Sequence, residues 1–237
     1  TGRSLYDVVI VPSTWLADLA PYLAPVPDWL VKGIDLADIY PAYRDVMMRW
    51  QDDWKAVTID GDLQIGAYRT DLFADPAHQR AFAAAYGQPL APPETWEDYH
   101  RIADYFHGRT DAEGRTVAGT VEAFASRGQR LWTLFSRAAA YVNHPAHPGA
   151  MFFDPQSMIP SIDNPGWVRA LSEYAGVRAF APVDAARMDS FEIRARFIAG
   201  RSAMTVDWTD VGVLAVDARV STIADRVGFF ILPGSRS

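Results

Sequence analysis

Asp60-Gly61-Asp62-Leu63-Gln64-Ile65-Gly66-Ala67-Tyr68 is the stretch from which the architecture can be read. Aspartate and glycine are what a tight turn prefers, so Asp60-Gly61-Asp62 predicts a turn between two strands, Lys55 to Asp60 and Leu63 to Tyr68. Toward the amino end, the β-branched run Tyr6 to Val11 predicts a buried strand. Ser13 or Thr14 then stands where it would cap a helix running through Ala20. The proline-rich Pro21 to Gly33 predicts a surface loop, and Ala42 to Trp50 a helix.

Toward the carboxyl end the apolar period becomes helical. Pro76 to Tyr86 places Phe82 and Ala85 on one face and ends at Gly87, a natural C′ residue. Thr95-Trp96-Glu97-Asp98 reads as a variant capping box, followed by Tyr99, Ala103 and Phe106 at helical spacing. Gly128 to Val142 predicts a helix with Leu131, Phe135 and Ala138 inward. Asn164-Pro165 is a cap with proline at the first helical position, and Trp167, Leu171 and Tyr174 follow as a stripe. Asp189 to Ala199 predicts a helix that stops at Gly200. Two strands, Ser202 to Val206 and Val227 to Leu232, flank a helix over Trp208 to Val216. Strands separated by helices predict an α/β sheet protein.

Composition narrows the function. Hydrophobic residues are 49% of the 237 and aromatics 13%, enough for a substantial core, which excludes a disordered chain. Twenty-two basic against 29 acidic residues leave a net charge of −7, which argues against nucleic acid as a partner. No apolar run has the length of a membrane span. With no cysteine, a disulfide scaffold, a thiolate metal site and a cysteine nucleophile are all excluded. The chain opens at Thr1-Gly2-Arg3-Ser4 without an initiator Met or signal peptide and stops in a turn after a strand-like run. The expectation is a piece of something longer.

Common catalytic signatures are missing: there is no Walker loop, GxGxxG, GxSxG or HExxH. His144-Pro145-Ala146-His147 offers two imidazoles, but in a proline-broken loop with no third ligand adjacent, so a solvated loop is the expectation and no metal or cofactor is called for. Asp60 with Asp62, and Asp207 with Asp210, could be carboxylate pairs for acid–base work, but the first reads as a turn and either member of the second could cap the helix that starts there. The aromatics say more. Trp15 and Trp208 each follow a strand, at the sheet edge where α/β proteins bind ligands, and an aromatic face suits the apolar face of a sugar ring. Trp96 and Trp167 lie on helical stripes and are assigned to the core.

Five segments, in order, resemble family 1 extracellular solute-binding proteins, the sugar-binding components of ABC importers. Gly61-Asp62 through Ala67-Tyr68-Arg69-Thr70-Asp71-Leu72-Phe73 resembles that family's crossover from first to second lobe. Pro93-Glu94-Thr95-Trp96-Glu97-Asp98 is similar to its Pro-x-Thr-Trp-acidic helix start, and Phe152-Phe153-Asp154 with Ile162-Asp163-Asn164-Pro165 also fits. Phe197-Ile198-Ala199-Gly200-Arg201-Ser202-Ala203-Met204 resembles its Phe-x-x-Gly-x-Ala-Ala-Met segment, and Val227-Gly228 to Leu232-Pro233-Gly234 its return crossover.

The resemblance implies a two-lobed α/β fold of the type II periplasmic-binding-protein kind. Residues 1–66 would be part of the first lobe, 67–228 the second lobe and 229–237 the return crossover. It implies a periplasmic or lipid-anchored extracellular monomer that takes a carbohydrate ligand to ABC transporter permease subunits by hinge closure, without catalysis. Ser13, Thr14 and Trp15 match the first-lobe loop facing sugar; Trp208 matches a stacking aromatic, with Asp207 and Asp210 beside it; Arg127, Gln129 and Trp132 lie where second-lobe contacts arise. The hinge would use Gly66, Tyr68 and Gly228, the glycines bending at little steric cost. The chain has two Asn, Asn143 and Asn164, where sugar sites commonly use more, so Asp and Arg would do that hydrogen bonding. Two rivals are a carbohydrate hydrolase using Asp207 or Asp210 and a receptor for a non-sugar solute.

Overall fold

A computed structural model describes residues 6–126, 128–143, 146 and 149–236. The chain divides into two compact units, Thr1–Gly61 and Asp62–Ser237.

Unit 1 is built from single turns. A 3-10 turn over Ser13–Trp15 runs into Leu16–Leu19 and Ala20–Tyr22, and a short helix spans Asp28–Gly33. A π-helical segment, Ala42–Met47, precedes two-residue strands at Arg49–Trp50 and Asp53–Trp54. Several expectations fail here. Tyr6 to Val11 is no strand: Val8 and Ile10 are exposed, and no described strand pairs with the segment to form a ladder. Neither Ser13 nor Thr14 caps a helix, because the turn starts after Pro12 without a side-chain bond. The loop through Pro21 ends in a helix, which Pro27 initiates, with Asp28 and Lys32 at the dipole-favoured ends. Lys55 to Asp60 is not a strand, since the Met48 carbonyl accepts both Lys55 and Ala56 amides and closes a small hairpin instead.

Unit 2 carries the main sheet. Strand β1 (Gln64–Arg69) leads into α1 (Thr70–Ala74), α2 (Pro76–Tyr86) and α3 (Trp96–Phe106). Then come β2 (Ala118–Val121), α4 (Arg130–Val142), α5 (Pro165–Val177) and α6 (Ser190–Ile198). Strand β3 (Ser202–Trp208), α7 (Asp210–Ala215) and β4 (Val227–Phe230) complete it. The strand order is β2-β3-β1-β4, with β2 parallel to β3 and the other two pairings antiparallel.

The helix boundaries follow from local chemistry. Asp75 caps α2 through the Ala77 and His78 amides, and Gly87 ends it in the left-handed region at φ 70°. Thr95 caps α3 through the Asp98 amide, Asn164 caps α5 through Trp167, and Asp189 with Glu192 forms a capping box on α6.

One core layer gathers Leu72, Phe82, Trp96, Tyr99, Ile102 and Phe106 with Met204 and Val206 of β3. A second gathers Ala67 and Val121 with Ile193, Phe197, Val211 and Ile223. Strand β3 is buried along nearly its whole length between them. Trp96 and Trp167 are core residues, but Leu131 and Leu171, expected inward, are exposed. Leu171 stands on the wall of a cavity of about 460 Å³ beside α4 and α5, with Phe135, Phe152, Phe153, Ile162 and Trp167 among its other walls.

Strands β1 and β4 pair with Gly66 opposite Phe230 and Tyr68 opposite Gly228. A Cβ at Gly66 would stand 2.1 Å from the Phe230 ring, and one at Gly228 2.4 Å from the Tyr68 ring. Neither glycine has positive φ. They are glycines because an aromatic ring from the partner strand lies over each, and the expected reason, backbone bending, is not what this geometry requires.

Candidate functional site

Four of the residues that sequence reading singled out in unit 2, Trp132, Asp207, Trp208 and Asp210, gather at the carboxyl end of β3. Trp208 is the strand's last residue and is half-buried. Alternation sends Met204 and Val206 to the α3 side and Thr205 and Asp207 to the other face, so Trp208 and its neighbour diverge. Trp132, on the first turn of α4, is 44% exposed and meets Trp208 edge to face, with ring centroids 6.4 Å apart. Phe135, one turn on, holds Trp132 from behind at 5.9 Å. Half-buried Gln129 precedes α4, and its amide donates to Asp189 at 2.8 Å, tying the start of α4 to the cap of α6. Arg127 lies outside the described residues, as do His144 and His147.

Asp207 and Asp210 share one cation. Arg194, on α6, donates from Nε to Asp207 Oδ2 at 2.8 Å and from Nη2 to Asp207 Oδ1 at 3.4 Å. Its Nη1 lies 3.0 Å from Asp210 Oδ2. The Asp207 side chain has no accessible surface, whereas that of Asp210 is 59% exposed. Burial pushes the Asp207 carboxyl up to about 6, with the Arg194 guanidinium opposing. Neither aspartate caps α7: Thr209 precedes it and makes no capping bond. Thr209 instead donates its amide to Asp62 Oδ1 at 2.8 Å, and its hydroxyl to the same oxygen. The turn 207–210 is therefore held from one side by Arg194 and from the other by Asp62.

This geometry corrects two expectations. Asp207 does not face a ligand: it is sealed beneath the sheet edge and anchors Arg194. For the same reason it cannot deliver a proton to a glycosidic oxygen in this conformation, which removes it as a hydrolase acid or base. Arg194 went unnoticed in the sequence, and Asp62 was read as part of a turn rather than as a partner of Thr209. The signal for Arg194 was its place in a capped helix just before the strand bearing Asp207, on the face that also carries Ile193 and Phe197. Ser13, Thr14 and Trp15 belong to unit 1, where all three are exposed, Trp15 at 55%. Glycines and ring of the expected hinge, Gly66, Tyr68 and Gly228, sit together on the β1–β4 pair.

The apolar cavity by α4 and α5 is a weaker candidate. Its lining has no charged side chain to orient a polar solute, whereas the β3 edge joins two aromatic faces to carboxylate and guanidinium groups. No group of three potential metal ligands occurs among the described residues, and no helix among them is long and apolar enough to cross a membrane.

No protein-family model matches the sequence, and no curated protein matches it. Solved structures do. An ABC transporter solute-binding protein from Agrobacterium radiobacter, in complex with ribitol, superposes with a TM-score of 0.72 at 21% identity, over 94% of this chain and 51% of its own. Maltose-bound MalE3 of T. maritima gives 0.72 at 20% identity, over 94% and 51%. A solute-binding protein from Agrobacterium vitis with bound D-mannitol gives 0.67 at 21%, over 92% and 48%. The chain thus has the mixed α/β fold of the periplasmic sugar-binding proteins and spans about half the length of the structures it matches.

Proposed function

We propose that this chain is the ligand-binding component of an ABC importer for a neutral sugar or sugar alcohol, acting outside the cytoplasmic membrane. The observation that carries the reading is the Trp132–Trp208 pair at the carboxyl edge of β3, in a fold shared with proteins that hold ribitol, maltose and D-mannitol. One aromatic face takes the apolar face of the ligand, and Asp210 with Gln129 takes its hydroxyls. Residues 1–66 form part of a first lobe, 67–228 the second and 229–237 the return crossover. The paired strands around Gly66, Tyr68 and Gly228 are the hinge. Ser13, Thr14 and Trp15 supply the first lobe's contacts, and Arg127 a further one from the second.

The receptor closes because ligand contacts from both lobes favour the closed state, and it performs no chemistry on what it binds. It works as a monomer, in the periplasm or lipid-anchored at the cell surface, and delivers its ligand to permease subunits.

Titration of the full chain with maltose, ribitol and D-mannitol tests this. Burying an aromatic face against a sugar is worth roughly 1.5–3 kcal/mol, so Trp208→Ala is expected to weaken binding about ten- to a hundredfold. The melting temperature of the ligand-free variant should stay close to that of the wild type, whereas a core tryptophan would cost about 3–5 kcal/mol. Normal affinity in Trp208→Ala, or a large loss of stability, removes Trp208 as the platform. A wild-type chain that takes up none of these ligands refutes the receptor reading.

A further inference from the structure

We infer that Arg194 is the positioning residue of the polar half of this site, aligning the Asp210 carboxylate to accept O–H bonds from a polyhydroxyl ligand seated on Trp208 and Trp132. The inference rests on the receptor reading and names how that site recognises its hydroxyls.

A guanidinium offers five N–H donors in one rigid plane. In Arg194 the Nε and Nη2 edge is taken by buried Asp207, which fixes the plane of the fork. What remains is Nη1, and it reaches Asp210 Oδ2 at 3.0 Å. One cation therefore links a carboxylate with no exposure to one in water, and the Arg194 side chain itself is 8% exposed. A buried anchor transmits a fixed geometry to an exposed acceptor only through a donor set of this shape. Lysine, a compact point charge, could neutralise either aspartate but could not hold both in register. Asp210 follows Trp208 by two residues, and the intervening Thr209 is pinned by Asp62, so the acceptor and the aromatic platform move as one turn. Engaging Oδ2 leaves the carboxylate with further lone pairs for ligand hydroxyls.

A double-mutant cycle on ligand affinity separates positioning from mere structural support. Wild type, Arg194→Lys, Asp210→Asn and the double variant are titrated as full chains with maltose, ribitol and D-mannitol, following whichever binds most tightly. Arg194→Lys is expected to weaken binding roughly ten- to a hundredfold, the range for a hydrogen bond to a charged group. In the Asp210→Asn background the same change should have little further effect, because Arg194 acts through Asp210. Losses that simply add, or wild-type affinity in Arg194→Lys, overturn the inference and leave the receptor reading intact. If Arg194→Lys does not fold, Asp210→Asn decides alone: its side chain is exposed, and unchanged affinity overturns the inference. A wild-type chain that binds none of the three ligands overturns the receptor reading and this inference with it.

Discussion

Two of the buried arginines of unit 2, Arg137 and Arg194, meet carboxylates in different ways. Arg137, on α4, donates to both oxygens of Glu122 at 3.0 and 3.2 Å, and neither side chain has any exposure. Its guanidinium lies 3.8 Å over the Trp96 ring, with His100 at 3.4 Å on its other nitrogen. Arg194 also reaches both oxygens of a sealed carboxylate, but from two nitrogens where Arg137 uses Nη2 alone, and its third nitrogen leads out to solvent through Asp210. A sealed pair can only hold elements together, whereas a pair with one open end can present a charge at a defined place. Burial alone does not distinguish a structural ion pair from a functional one. The way out does.

The largest expected effect tests the sealed pair. Arg137→Met would leave Glu122 buried without a partner, and removing one member of such a pair costs about 3–5 kcal/mol. Arg194→Met should cost less, roughly 1–3 kcal/mol, because Asp207 can take up a proton and Asp210 already stands in water. Chemical denaturation of both variants measures the difference. Equal losses would mean that Arg194 is as much a core element as Arg137.

How far these regions could be read in advance differs for physical reasons. Helix ends were legible because capping is local: Gly87, Thr95, Asn164 and Gly200 each act within a few residues. Strand β2 was missed altogether. Its Gly119 looks like a weak point, yet a Cβ there would stand 1.8 Å from the Ala103 carbonyl, so it is the place where α3 lies directly on the sheet. In unit 1 the β-branched run Tyr6 to Val11 had the right propensity for a strand, but strands exist by pairing, which composition does not report. Trp132 and Trp208 could be picked out by type and position. Arg194 carried only the weaker signal of its place on the apolar face of α6, since an arginine on a helix is ordinarily solvated and what sets this one apart is a contact with Asp207 thirteen residues on. The glycines of the β1–β4 pair were seen, but their reason, the rings of Phe230 and Tyr68, is visible only across the ladder.

Titration gives a second contrast, of intermediate size. Burial, with Arg137 beside it, lowers the His100 imidazole from 6.5 to about 4. Burial raises Asp207 from 3.8 to about 6. Between pH 4 and 6.5 the unfolded chain binds a proton at His100 that the folded one does not, so this residue contributes stability above 6.5 that is lost as pH falls toward 4. Asp207 does the reverse: its contribution is present below 3.8 and lost as pH rises through about 6. At about 1.4 kcal/mol per unit, each amounts to roughly 3 kcal/mol across its window. Stability measured from pH 4 to 7 should therefore change in opposite senses, with Asp207→Asn gaining on the wild type as pH rises and His100→Gln losing. Slopes of the same sign in both variants would break the contrast.

The smallest expected effect sharpens it most. Asp210 pairs with Arg194 at 3.0 Å through an exposed side chain, and pairs of that kind contribute about 0–1 kcal/mol. It also stands in the first turn of α7, where a negative charge adds about 0.3–1 kcal/mol at most. Asp210→Ser should therefore lower the melting temperature of the ligand-free chain by a few degrees at most, since in a protein of 150–250 residues each kcal/mol moves it by about 2–4 °C. The same substitution removes the carboxylate that Arg194 holds for ligand hydroxyls, so affinity should fall while stability barely moves. That dissociation has no counterpart at Glu122, where every loss of charge is a loss of fold. If Asp210→Ser melted unit 2 as Arg137→Met is expected to, the exposed carboxylate would belong to the core after all, and the open end of Arg194 would have no separate function.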